Sequence, residues 1–179
     1  FVDKYAVWYV DVHDEIFSKY RTPDGGAIYT AIASNVSNIP AGAEIAATPD
    51  GRMRGEPISD AASPMHGMDK SGPTAVILSV SKPDYTKVSC GTVVNQKYSP
   101  EMFSSDELRA KLLAMIKVYM SRGGQEIQIN SVSRNMLIDA MHHPEKYKNL
   151  VVRVSGFSAY YITLDRRVQE DILKRTEHG

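Results

Sequence analysis

Over residues 1–19 the apolar positions Val2, Tyr5, Ala6, Tyr9, Val10, Ile16 and Phe17 recur near the helical period, with His13 on the same stripe. That spacing predicts an amphipathic helix, with Asp11, Asp14, Glu15 and Lys19 on its wet face. Residues 21–26 hold Pro23, Gly25 and Gly26 and read as a loop. Residues 27–34 alternate well enough for a strand, and 35–42, with Pro40 and Gly42, read as a loop. Thr48-Pro-Asp-Gly-Arg52 is a turn signature. Residues 56–75 are rich in Pro, Gly, Ser and Asp without periodicity, and predict a long ordered loop. Residues 74–80 are apolar and fit either a strand or a short helix, closed by Lys82-Pro83. Residues 90–95 read as a short strand.

The second half is more regular. Residues 104–122 carry an apolar stripe of Leu108, Leu112, Met115, Ile116, Tyr119 and Met120. Ser104 and Glu107 have capping-box spacing, and Gly123 is a stop signal. The methionines read as core filler. Residues 126–130 alternate, with Ile127 and Ile129 on one face and Gln128 and Asn130 on the other. Ser133 is placed to cap a helix running to Met141, ended by Pro144. Leu150, Val151, Val152 and Val154 form a β-branched run that predicts a buried strand, interrupted by Arg153. Asp165 is placed to cap a last helix bearing Val168, Ile172 and Leu173.

Composition narrows the function classes. The chain has 179 residues, enough for one domain or two small ones, and 42% apolar residues, enough for a core. Lys and Arg total 21 and so do Asp and Glu, so no basic footprint for nucleic acid or an anionic membrane exists. No apolar run approaches the roughly 20 residues of a membrane span. Cys90 stands alone, so no internal disulfide can form, which fits a reducing cytosol and a cytoplasmic location. It reads as a small packed residue, not a nucleophile. The chain starts at Phe1 and not at Met, and is read as a fragment or a processed piece. His13 reads as part of a helix face, and Asp60, His66 and Asp69 are too irregularly spaced to be read as metal ligands. Gly67-x-Asp-Lys-x-Gly72 lacks the order of a phosphate loop.

The most informative stretch is 149–161, N-L-V-V-R-V-S-G-F-S-A-Y-Y. Gly156 ends the apolar run and is followed by Phe157, Tyr160 and Tyr161. Two readings fit. Gly156 is a turn residue, used because glycine takes positive φ without steric cost. Alternatively it stores a carbon-centred radical, because an α-carbon without a side chain can flatten and share spin with its flanking amides. Such a radical needs shelter from water and oxygen, which the apolar flank would supply.

Residues 150–161, the tail Gln169-Glu-Asp-Ile-Leu-Lys-Arg-Thr-Glu-His178, the block Thr48–Arg52 with Gly55-Glu-Pro-Ile-Ser-Asp60, Ser63-Pro64 and Gly67–Ala75, and Asn95-Gln-Lys-Tyr-Ser-Pro100 together resemble glycyl radical enzymes. The likeness is to the C-terminal portion of relatives of pyruvate formate-lyase, on the branch of dehydratases, choline lyase and arylacetate decarboxylases. It runs from about Thr22 onward.

The resemblance implies an α/β fold, the C-terminal part of a ten-stranded α/β barrel with the glycyl radical loop. Residues 1–47 would be the end of the barrel region and 48–179 the glycine radical domain. It implies a radical on Gly156, made as a post-translational modification with no bound cofactor or metal, by a partner activating enzyme that uses S-adenosylmethionine. Arg153, Val154, Ser155, Phe157, Ser158 and Tyr160 would support the loop, with Asp165 or Glu170 as partner of Arg153. The radical would pass to a thiyl cysteine in the remainder of the barrel, outside this chain, for lyase chemistry on a small organic substrate. Ser34, Asn35, Ser37, Asn95 and Asn130 are candidates for substrate contacts, and the histidine that relatives place near 27–34 is absent here. The alternatives are a stand-alone radical carrier that repairs a larger enzyme, and a domain that kept the fold without the radical.

Overall fold

In the computed structural model, which describes all 179 residues, the first helix forms as its spacing predicts: α1 spans Val2–Phe17. Its stripe, however, is largely uncovered. Only Val10 is buried, against Tyr85 and Val88, while Val2, Tyr5, Trp8 and Tyr9 are more than half exposed. Residues 27–34 do not form a strand. They run beside 90–93, making an isolated parallel bridge, Ile32↔Thr92, and hydrogen bonds between the 30–32 and 90–93 backbones. The alternation is real, but the segment makes only single bridges, the other joining Ala27 to Arg21, and isolated bridges are not a ladder.

The loop expected at 35–42 contains a helix, α2, Asn38–Glu44. Asn35 and Val36 have φ of 44° and 64°, so the chain reverses there before the helix starts. Pro40 falls within the first turn, where its missing N–H costs nothing. Gly42 faces the backbone of Glu56 and Pro57 so closely that a Cβ would collide with both. The open choice at 74–80 resolves as a helix, α3, Pro73–Val80, with proline at its first position.

A parallel sheet follows. β1 (Val94–Tyr98) starts later and runs further than its apolar residues suggest. It continues through α4 (Asp106–Ser121) to β2 (Ile127–Ser131), in the register Val94↔Ile127 to Tyr98↔Ser131. Parallel strands need such a crossover. Ser105, not Ser104, caps α4: its Oγ accepts from the Leu108 N–H at 3.2 Å, while the Ser104 hydroxyl turns back to donate to the Glu101 carbonyl. The stripe of α4 is narrower than its spacing suggests. Leu112 and Tyr119 are buried, but Met120 is 42% exposed and so is not core filler. Cys90 is exposed, not packed, because it sits in the turn that leads into β1.

Chain order then gives α5 (Arg134–His142), capped by Ser133, and β3 (Val151–Arg153) with β4 (Ser158–Tyr160) as an antiparallel hairpin. It closes with α6 (Arg166–Lys174), capped by Asp165, and β5 (Glu177–His178), which lies parallel to β1 on the side away from β2. The strand at 150–154 is not buried throughout: Val152 and Val154 point inward and Val151 is 52% exposed. The largest core cluster joins Val132, Leu137, Ala140, Val152, Val154, Tyr161 and Ile172. It welds the inner face of the hairpin to α5 and α6 and leaves Gly156 at the surface.

Candidate functional site: the Gly156 hairpin

The hairpin pairs Val151↔Tyr160, Val152↔Ala159 and Arg153↔Ser158. The Val154 N–H donates to the Phe157 carbonyl at 2.8 Å, so 154–157 make a tight reversal with Gly156 in it. Gly156 has φ of 82°, the left-handed region that L side chains avoid. A Cβ on it would meet only Asn35 Oδ1, at 3.8 Å. There is room for a methyl group, so what demands glycine here is the backbone, not the space.

The sheath expected around Gly156 is not built by this chain. Gly156 and Ser158 are exposed, Phe157 is 41% and Tyr160 51% exposed, and only Tyr161 is fully buried. β4 alternates, so Ser158 and Tyr160 face away from the core while Ala159 faces toward it, and Phe157 lies in the exposed turn before the strand.

Two anchors hold the base of this tip. The first comes from β2, whose polar face turns inward: Gln128 and Asn130 are each 4% exposed, while Ile127 and Ile129 are only half-buried. Asn130 Nδ2 donates to the Arg153 carbonyl at 2.6 Å, and its Oδ1 accepts from the Arg153 N–H at 2.7 Å. One side-chain amide thus replaces a backbone ladder partner and docks β3 on β2. Gln128 Oε1 accepts from the Gly156 N–H at 3.0 Å and from Arg153 Nε at 3.1 Å. Its Nε2 donates to Glu126 at 2.6 Å. The charge of Arg153 is met by Glu126, 3.8 Å away, not by Asp165, which caps α6 and pairs with Arg167, or by Glu170, which lies within α6 and pairs with Arg166.

The second anchor is Asp60, 5% exposed in the long loop. Its carboxylate accepts from Ser155 Oγ at 3.1 Å, Asn95 Nδ2 at 2.6 Å, Arg175 Nη2 at 3.1 Å and the Ser34 hydroxyl. The residue before Gly156 is therefore tied at once to the 27–34 segment, the parallel sheet and the end of α6. Arg175 also reaches Asp171 at 3.1 Å, which accepts from Asn38 at 3.2 Å and lies 3.5 Å from His66. Burial lowers the pKa of His66 despite the nearby Asp171 carboxylate. Asp69 pairs with His178 at 3.3 Å and accepts from Thr176. Burial pushes the Asp69 carboxyl up, but the hydrogen bonds from His178 and Thr176 outweigh it and hold it below the ordinary carboxylate value. Asp60 and Asp69 thus belong to ion pairs and hydrogen bonds, and His66 to a close contact with Asp171, that tie the loop to the end of the chain. A polar cavity of about 30 Å³ lies among Asp60, Asn95, Gln96 and Arg175, room for ordered water.

The structure gathers Arg153, Ser155, Asn130 and Asn35 around the tip, with Val154 fully buried beneath it. Ser158 stands beside Arg153, with Oγ 3.5 Å from Nη1. Asn95 is set back on β1, bonded to Asp60, and Ser37 turns its hydroxyl to the Ser34 carbonyl. Sequence reasoning missed the anchoring roles of Gln128 and Asp60. Gln128 had a signal, a polar residue alternating with isoleucines in a strand. Asp60 had none, since its loop lacks any period.

The family model described as "Glycine radical" matches residues 58–162. The chain is 42% identical over 159 residues to the probable dehydratase YbiW of Escherichia coli (strain K12), covering 88% of this chain and 20% of that protein. It is 33% identical to the trans-4-hydroxy-L-proline dehydratase of Clostridioides difficile, covering 93% of this chain and 22% of that one. Among solved structures, the glycerol-bound B12-independent glycerol dehydratase of Clostridium butyricum superposes with a TM-score of 0.94 at 40% identity, over 99% of this chain and 22% of that chain.

The chain belongs to the glycyl radical enzyme family, on its dehydratase branch. Members of this family carry their radical on a glycine as a post-translational modification, without a separate cofactor. The α/β fold corresponds to a C-terminal part of those barrel enzymes, and the chain spans about a fifth of the length of the curated relatives it matches. No helix is long and apolar enough to cross a membrane.

Proposed function

We propose that this chain is the radical-bearing part of a glycyl radical lyase and that Gly156 stores the radical. The observation that carries the reading is the hairpin itself: an exposed glycine in a tight turn whose base is buried and fixed by Gln128 and Asp60. A tip held this way can be offered to an activating enzyme and then to an active site without disturbing the core under it.

In this reading a partner enzyme that uses S-adenosylmethionine breaks one Cα–H bond of Gly156 homolytically. The hydrogen atom leaves with the partner, and one unpaired electron stays on the α-carbon, shared with the flanking amides. The remainder of a ten-stranded barrel, in another segment or chain, supplies the shelter that this chain lacks. It also supplies a cysteine whose thiol hydrogen moves to Gly156, leaving a thiyl radical. That radical takes a hydrogen atom from a small organic substrate, which then loses water, an amine or carbon dioxide, or breaks a C–C bond. Residues 1–47 form the edge of the barrel and 48–179 the glycine radical domain. Asn35, beside the tip, is the asparagine placed to approach substrate. The role of this chain is to hold and position the radical, while the rest of the barrel excludes water.

The test is an anaerobic electron paramagnetic resonance spectrum of the chain, assembled with the rest of its barrel and treated with activating enzyme, reductant and S-adenosylmethionine. A doublet near the free-electron value is expected, and none in Gly156→Ala. A doublet of equal intensity in a folded Gly156→Ala sample would place the radical elsewhere.

A further inference from the structure

We propose that Gln128 is a positioning residue that tunes the radical through the amide nitrogen of Gly156; this rests on the reading of Gly156 as the radical site. The radical is stable because the nitrogen lone pair donates into the half-filled orbital while the carbonyl withdraws from it. Both effects require the amide planes on either side to lie flat with the α-carbon. An acceptor aligned on the N–H strengthens donation from nitrogen and holds that plane.

Gln128 meets this demand in a way that an incidental contact does not. Gln128 is 4% exposed, so its end of the bond is shielded from bulk water. Its amide cannot flip without loss, because Glu126 only accepts and therefore takes Nε2, leaving Oε1 for the Gly156 N–H and Arg153 Nε. Arg153 in turn reaches Glu126 at 3.8 Å. The acceptor is thus oriented by a closed ring of three side chains, Glu126 just before β2, Gln128 on β2 and Arg153 on β3, and it contacts the backbone of Gly156 directly.

The experiment compares wild type, Gln128→Met and the swap Glu126→Gln with Gln128→Glu, each in the assembled, activated protein. The swap keeps an acceptor at 128 and moves the amide donor to 126. For Gln128→Met the hyperfine coupling of the radical to the amide proton and nitrogen of residue 156 is expected to change. Its radical should decay about tenfold faster, the scale of one lost hydrogen bond. The swap is expected to return both toward wild type. If Gln128→Met forms no radical but the swap does, the proposal also stands. Unchanged couplings and lifetime in Gln128→Met, or a loss that the swap does not repair, would overturn it. No doublet in wild type would instead count against Gly156 as the radical site, so the two failures are distinct.

Discussion

Asp60 shows how one residue can set the geometry of a site it does not occupy. Its carboxylate accepts from four side chains that come from distant parts of the chain, Ser34, Asn95, Ser155 and Arg175. A buried carboxylate without such partners is costly, and a buried partner left behind is costlier. Asp60→Ala is therefore expected to lower stability by about 3 kcal/mol, the low end for a broken buried pair because Arg175 keeps Asp171. Urea titration checks this. A change within about 0.5 kcal/mol, the scatter of neutral surface substitutions, would show that Asp60 is not an anchor. Its pairing was not legible, because its four partners are fixed by tertiary structure alone. Asn130 was legible in part: alternation marked it as opposite to Ile127 and Ile129, but not that the polar face is the buried one.

At the scale of elements, periodicity told the truth where an element carries its own stripe or cap. α1, β2, α5 and α6 formed where their spacing and caps placed them. α2 escaped notice because its seven residues include Pro40 and Gly42 and are too few for a stripe. The β3–β4 hairpin was read as a single strand followed by a loop, since its link, Val154 to Phe157, contains no Asn-Gly or Asp-Gly signal. The segment at 27–34 fails in the opposite sense: it has the pattern of a strand but not the neighbours. The start of α4 is a sharp test at this scale, because two adjacent serines compete for one role. Ser105→Ala is expected to cost about 1 kcal/mol, and Ser104→Ala only a few tenths, in thermal or urea unfolding. Equal costs, or the reverse order, would restore the capping box at Ser104.

Across the whole molecule, the uncovered apolar surface forms a consistent picture. Val2, Tyr5, Trp8 and Tyr9 on α1 and Phe157 and Tyr160 on the hairpin are all exposed, more than scattered single residues would explain. A chain that spans a fifth of its relatives would leave such faces for the rest of a barrel to cover. Trp8 is the only tryptophan and is 58% exposed, so it reports on this directly. Its fluorescence in the isolated chain is expected at the long-wavelength, solvent-exposed limit, shifting to shorter wavelength when the rest of the barrel is added. Emission that stays unchanged in the assembled protein would mean that α1 faces solvent there too.

The central claim is that the unpaired electron resides on the α-carbon of Gly156. A glycyl radical keeps one α-hydrogen, whose spin splits the resonance into a doublet. Deuterium in its place has a far smaller magnetic moment and should collapse the splitting. The decisive measurement is the anaerobic spectrum of the activated protein grown on α-dideuterated glycine, beside the unlabelled protein and Gly156→Ala. The account requires a doublet in the unlabelled protein, a near-singlet in the labelled one, and no signal in the variant. A doublet that survives full deuteration of glycine would contradict it, because the electron would then sit on another residue.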